Sequence, residues 1–272
     1  MMDLLLADGG RLSYETIGQG PPILLLRPLG GSLVSWDQFG ALLAEHFRVV
    51  MFDPRGLGRS TSPPRRFSTR DMASDAVALL DALAIERCHV YGISMGGMVA
   101  SWLAIDFPAR VDRLVLASTL PSGLEVRASA LRRAASLAQC LLRRGTDFDA
   151  CLATRVLPHA FRDAHRAEVE RIQSLARERP MTRTNLGALL IAASMHDVRN
   201  DLHRIVAPTL VLLGGRDWLP TLGSQAELLR RIPSVELQVL DDAGHDLSAE
   251  APEFVALKVN AFLGAGAGSE GG

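Results

Sequence analysis

Ser94 lies in Gly92-Ile93-Ser94-Met95-Gly96-Gly97, a G-x-S-x-G pattern whose residue types and spacing could support covalent chemistry. The bare pattern recurs by chance in many chains. Here an apolar run, Cys88–Ile93, leads directly into it, and a helix-forming stretch, Met95–Phe107, leads directly out. That is the strand–turn–helix context a nucleophilic serine requires. Such a turn forces the serine into a strained backbone conformation, and glycines two residues to either side leave room for it. The dipole and free N–H groups of the following helix favour an oxyanion developing beside the serine. The competing reading is a Gly-rich turn whose serine only caps a helix; the partners decide between the two.

A serine hydroxyl is a poor nucleophile at neutral pH. It needs a base in contact and a third group that fixes the base's tautomer. Both must reach the carboxyl edge of the sheet, where a serine on such a turn emerges. Five histidines follow Ser94: His159, His165, His196, His203 and His245. The first three lie in a helix-rich stretch and His203 lies just after it, so surface or capping roles suit them. His245, in Ala243-Gly244-His245-Asp246, follows the strand-like run Val235–Leu240 and is the expected general base. Asp217, in Gly214-Gly215-Arg216-Asp217, follows the run Thr209–Leu213 and is the expected acid. Asp241 and Asp242 sit too close in sequence to His245 to face it comfortably. The order serine, acid, histidine along the chain is the one this arrangement uses in open α/β sheets.

The elements that must position these residues alternate. Leu4–Ala7 and Leu12–Ile17 read as strands joined by an Asp8-Gly9-Gly10 hairpin turn. Pro22–Leu26 is a solid apolar run, as in a strand covered on both faces. Ser35–His46 reads as a helix, Arg48–Phe52 as a strand, Thr69–Leu83 as a helix, and Leu114–Ser118 as another strand. From about Pro121 to Asn200 there is no convincing strand, only stretches rich in Ala, Leu and Arg that read as helices. Alternation resumes with Thr209–Leu213, helix Ser224–Arg231, Val235–Leu240 and a last helix, Pro252–Leu263. The expectation is one α/β fold with a mostly parallel, eight-stranded sheet flanked by helices. Its core is residues 1–120 and 201–263, a helical cap of residues 121–200 is inserted after the sixth strand, and residues 264–272 form a disordered tail.

The composition fits. Hydrophobic residues are 48% of the 272, enough for a large core. The formal net charge of −1 asks for no nucleic-acid partner. No apolar run approaches the roughly 20 residues that span a bilayer, and Asp8 cuts short the apolar start of the chain. Cys88, Cys140 and Cys151 are odd in number and show no metal-ligand spacing, so reduced thiols in a cytoplasmic protein are expected.

Together these residues resemble the α/β-hydrolase superfamily along nearly the whole chain. Asp53-Pro54-Arg55-Gly56-Leu57-Gly58-Arg59-Ser60 is similar to its D-x-R-G-x-G-x-S loop, Ala207-Pro208-Thr209-Leu210 to the approach to its acid-bearing strand, and Gly244-His245 with Glu250, Pro252 and Phe254 to its histidine loop and last helix. Leu29-Gly30-Gly31, the Ser94 turn and Asp197–Pro208 resemble 3-oxoadipate enol-lactonases and related small esterases. The resemblance implies oxyanion donors at the N–H groups of Leu29 and Met95. Many members carry His-Gly where this chain has Arg27-Pro28; Pro28 lacks an N–H, but Leu29 and Met95 keep theirs. It implies no cofactor and no metal, and hydrolysis of a small-molecule carboxylic ester or lactone through an acyl-enzyme. Carbon–carbon bond hydrolysis, cofactor-free perhydrolysis and acyl transfer use the same triad, and a ligand-binding receptor or scaffold with a vestigial triad is the reading from another class. An aspartate-nucleophile mechanism does not fit a serine at position 94. Arg27 has two readings: it pairs with a carboxylate such as Asp53 and packs, or its fork meets a substrate carboxylate.

Overall fold

Strands and helices form in the expected order. The computed structural model describes residues 1–31, 36–63, 66–132, 140, 150–151, 157, 159–178, 182–220 and 222–264. Eight strands, β1 Met2–Leu5, β2 Arg11–Ile17, β3 Pro22–Leu26, β4 Arg48–Phe52, β5 Cys88–Ile93, β6 Val111–Ala117, β7 Thr209–Gly214 and β8 Val235–Leu240, make one sheet. Its order is β1-β2-β4-β3-β5-β6-β7-β8. β2 runs antiparallel to both β1 and β4, and every other neighbouring pair is parallel.

The solid apolar runs become the central strands because both of their faces are covered. Side chains alternate across β3: Leu24 and Leu26 join one core cluster, Ile23 and Leu25 the other. The first cluster packs against helices α2 (Thr69–Ala82) and α3 (Met95–Asp106), the second against α1 (Asp37–Ala44) and the C-terminal helix Pro252–Gly264. Helix α2 begins with a capping box in which Ser68 and Asp71 satisfy each other's backbone N–H groups.

Element ends moved where local hydrogen bonding outweighed hydropathy. The first strand is Met2–Leu5, not Leu4–Ala7, because Leu6 closes the turn by donating its N–H to the Gly10 carbonyl at 2.8 Å. The sixth starts at Val111 and ends before Ser118, whose φ of 44° takes it out of the ladder.

Between residues 121 and 200 the described residues include helices α4 (Leu124–Arg132), α5 (His159–Ala164), α6 (Arg166–Glu178) and α7 (Arg183–Ser194). A two-stranded neck closes the base of this insertion: Ser122 bridges Asp197, the Val198 N–H donates to the Pro121 carbonyl, and the Gly123 N–H donates to the His196 carbonyl. Three further helices, α8 (Leu222–Arg231), α9 (Leu247–Glu250) and α10 (Pro252–Gly264), complete the fold. The expected tail beyond Gly264 lies outside the described residues.

Reduced thiols are corrected. Cys140 and Cys151 form a disulfide, with Cα atoms 5.6 Å apart, and Cys88 is free and buried. Eleven residues of separation carry no metal-ligand pattern, but the folded insertion brings the two side chains within bonding reach. His196 departs from its expected surface role. It is only 3% exposed, and its Nδ1 meets the Thr69 hydroxyl at 2.9 Å. Burial pulls its pKa down to about 4, so it is neutral near pH 7. Among the described residues, no helix is long and apolar enough to cross a membrane.

Candidate active site

Four loops converge at the carboxyl edge of the sheet, after β3, β5, β7 and β8. The turn after β5 carries Ser94 at φ 54° and ψ −119°, the strained conformation expected of it. Several hydrogen bonds hold it there. The Ser94 N–H donates to the Ala117 carbonyl at 2.9 Å. The Ser94 carbonyl accepts the Gly97 and Met98 N–H groups at 3.0 and 3.2 Å, and the Thr119 hydroxyl at 2.7 Å. The glycines are required by close approach. A Cβ on Gly96 would lie 2.1 Å from the Leu26 carbonyl oxygen, and one on Gly97 would lie 2.5 Å from the Thr119 side chain. The absence of a Cβ at Gly96 therefore lets the start of α3 press against the end of β3. That brings Leu26 and Arg27, which lead into the Leu29 loop, beside the start of α3, whose first residue, Met95, has no acceptor for its N–H one turn back within the helix.

The acid and histidine loops are joined to each other. Gly215 donates its N–H to the Leu240 carbonyl at 2.8 Å, and Arg216 to the Ala243 carbonyl at 2.9 Å. A Cβ on Gly214 would fall 2.0 Å from the Gly244 carbonyl oxygen, so this contact too needs glycine. The structure brings three of the expected residues into one chain of contacts. The His245 Nε2 lies 2.9 Å from the Ser94 Oγ, and its Nδ1 lies 2.9 Å and 3.0 Å from the two Asp217 carboxylate oxygens. A carboxylate only accepts, so Nδ1 carries the proton and Nε2 is left to accept from the serine hydroxyl. The Leu219 N–H donates to Asp217 Oδ1 at 2.9 Å and orients the carboxylate.

Burial pulls the pKa of His245 down, but the charge and hydrogen bond of Asp217 outweigh it, with help from Asp246 and Glu250. The net position is above the ordinary histidine value. The rival acid Asp242 points away: its side chain is exposed and pairs with Arg216 at 2.6 Å.

Arg27 is 5% exposed. Its guanidinium lies 4.2 Å from the ring centre of the fully buried Trp36 and 3.7 Å from Asp246 Oδ2. The carboxylate beside it is therefore Asp246, not Asp53. Asp53 instead accepts the Arg59 N–H at 2.8 Å, within the loop whose Arg55 forms a buried pair with Asp75.

Two neighbours of the site are named nowhere in the sequence reading, and a third, Glu250, is given no role there. Thr119 bonds to the Ser94 carbonyl, Trp218 packs its ring 6.0 Å from His245, and Glu250 binds the histidine loop. Trp218 and Glu250 stand close to Asp217 and His245 in sequence, which was a usable signal; Thr119 had none beyond following β6.

The profile of the alpha/beta hydrolase fold matches residues 21–252 of this chain. The chain is 32% identical to 3-oxoadipate enol-lactonase 2 of Acinetobacter baylyi over 92% of each chain. It is 35% identical, over 86% of its length and 89% of the other's, to a Variovorax paradoxus protein named as a carbamate hydrolase, RutD. The crystal structure of a hydrolase from Pseudomonas aeruginosa superimposes with a TM-score of 0.85 at 31% identity, covering 97% of this chain and 98% of that one. With the eight-stranded sheet in this order, these matches show that the chain is an enzyme-type hydrolase fold and belongs to the α/β-hydrolase family.

Proposed function

We propose that this chain is a serine hydrolase that cleaves a small carboxylic ester or lactone through an acyl-enzyme on Ser94. The observation that carries the reading is the unbroken contact from Asp217 through His245 to the Ser94 hydroxyl. In the first half-reaction Ser94 Oγ attacks the substrate carbonyl while its proton passes to His245 Nε2. Asp217 stabilises the imidazolium so formed. The N–H groups of Leu29 and Met95 receive the oxyanion. The imidazolium then gives its proton to the departing alkoxide, and the ester bond to Ser94 remains. In the second half-reaction water, deprotonated by the same imidazole, releases the acid and restores the serine. For a lactone the alcohol and acid leave as one molecule. The relative named as an enol-lactonase, matched over 92% of this chain, supports that substrate class. A panel of p-nitrophenyl esters, lactones and carbamates, run beside a Ser94→Ala variant, tests it. Turnover confined to carbamates, or to none of the three, contradicts it.

Residues 121–200 act in this reading as a cap that sets substrate choice. Its support is the neck at 121–123 and 196–198, and the contact of Asn185 Nδ2 with the Gly56 carbonyl at 2.6 Å, which ties α7 to a loop of the core. Exchanging the cap for that of a relative is expected to change preference among esters while leaving the phosphonylation rate of Ser94 within about tenfold. Unchanged preference argues against it.

For Arg27, its burial and contacts with Trp36 and Asp246 favour packing over substrate binding. Arg27→Met is expected to lose a desolvated cation–π contact of about 2 kcal/mol and to lower Tm by on the order of 5 °C. Rates on neutral and anionic esters then fall alike. A selective rise in KM for anionic esters at unchanged Tm would restore the carboxylate-binding role.

A further inference from the structure

Glu250 closes the short helix α9, five residues beyond His245, and takes no part in the proton transfers above. Its two carboxylate oxygens are both engaged. Oε2 accepts the Gly244 N–H at 2.7 Å and Oε1 accepts the Asp246 N–H at 3.2 Å. One carboxylate thus grips the backbone on both sides of His245, at the peptide planes entering Gly244 and leaving His245. The other face of this loop rests on Gly214, so the loop is held between β7 and a single acidic side chain. With its backbone fixed and Asp217 bonded to Nδ1, the imidazole has little freedom to swing away from Ser94.

We infer that Glu250 is a positioning residue for His245, its carboxylate holding the histidine loop so that Nε2 stays in line with the serine hydroxyl. The inference rests on the reading of Ser94 and His245 as nucleophile and base. The hold depends on ionisation. An ionised carboxylate offers an acceptor at each oxygen, whereas a carboxylic acid turns one of them into a donor facing an N–H. Burial pushes the Glu250 carboxyl up, as does the like charge of Asp246, while the two N–H bonds and His245 oppose them; the result is about 7. The charged groups facing it are Asp246, itself beside Arg27, and His245, bonded to Asp217. Two groups therefore gain protons as the pH falls, and both gains reduce activity. His245 loses its lone pair, and Glu250 loosens the loop that carries it. Their mutual attraction spreads the two steps without merging them into one.

The test is the rate constant for inactivation of the full-length protein by a fluorophosphonate, followed from pH 4.5 to 9 in the wild type, Glu250→Gln and Glu250→Asp, with thermal melts of each. The expected wild-type acid limb is steeper than one proton over the range where both groups gain protons, and returns to one proton below it because the form with Glu250 protonated keeps a reduced reactivity. Glu250→Gln keeps one acceptor but turns an amide N–H₂ toward the other N–H. Its plateau is expected to fall about tenfold or more, and its acid limb to become a one-proton limb. Glu250→Asp keeps the titrating charge with a shorter reach, so it lowers the plateau but retains the steeper limb. A contribution to stability alone would move the melts and leave the slopes in place. A limb of one proton throughout in the wild type overturns the inference even if Glu250→Gln does not fold. So does a slope or plateau that Glu250→Gln leaves unchanged. A wild-type protein that does not react at any pH brings down the nucleophile reading itself, a different failure from either of these.

Discussion

Replacing Ser94 with alanine is expected to abolish ester turnover and leave the fold in place. The hydroxyl is the atom that bonds to the substrate, and nothing beside it can substitute: Thr119 spends its own hydroxyl on the Ser94 carbonyl. Removing the nucleophile of a comparable triad lowers kcat by about 10⁶-fold, which leaves a residue of rate enhancement from the oxyanion donors and binding. The fold should tolerate the change because the strained turn is held by backbone atoms. The Ser94 N–H reaches Ala117, and its carbonyl takes two backbone donors and the Thr119 hydroxyl. Alanine keeps all of these, and the side chain removed is only partly buried. Steady-state rates with a p-nitrophenyl ester and a circular-dichroism melt check both halves. Activity within tenfold of the wild type would end the triad account.

The second large effect is expected at Asp217. Asp217→Asn is nearly isosteric, yet the local bonding makes it harmful. The Leu219 N–H already donates to Oδ1. In the variant that donor holds the amide oxygen, which turns the N–H₂ group toward His245 Nδ1. A donor there stabilises the tautomer with its proton on Nε2, facing a serine it can no longer deprotonate. The fall in kcat is expected to be about 10⁴-fold, the scale of the same change in a serine protease. The acid limb also shifts. Asp217 is what lifts the pKa of His245 against its burial. Without that charge the imidazole gains its proton at lower pH, so the residual activity survives further into acid. Asp242→Asn is the control, since its exposed side chain pairs with Arg216 on the surface. A silent Asp217→Asn with a severe Asp242→Asn reverses the assignment of the acid.

Ser94, Asp217 and His245 are legible in the sequence because their positions follow from chain-local physics. Apolar runs such as Pro22–Leu26 and Val90–Ile93 can be buried on both faces only in a parallel sheet covered by helices. Ser94 and Asp217 each stand within three residues of the end of such a strand, His245 stands five residues beyond the edge strand β8, and parallel strands deliver their following loops to one edge. The features that escaped depend on which loops meet there. Arg27 pairs with Asp246 rather than Asp53 because the loops after β3 and β8 meet at the carboxyl edge of the sheet, a meeting that no local pattern announces. The grip of Glu250 needs a helical turn at Leu247–Glu250, too short for any periodic signal. The Cys140–Cys151 bond joins parts of an insertion whose helices show no spacing rule for such pairs. His196 reads as a polar residue in a helical stretch, and only the neck that joins the insertion to the core buries it against Thr69.

The most direct test of the central claim is to catch the acyl-enzyme. A p-nitrophenyl ester is mixed with the protein, quenched in acid within the steady state, and the digest is read by mass spectrometry. The account predicts an acyl group on the peptide containing Ser94. It should accumulate further in a variant slowed in deacylation and be absent from Ser94→Ala. Rapid turnover with no adduct on Ser94, or an adduct that persists on another residue in Ser94→Ala, would contradict it.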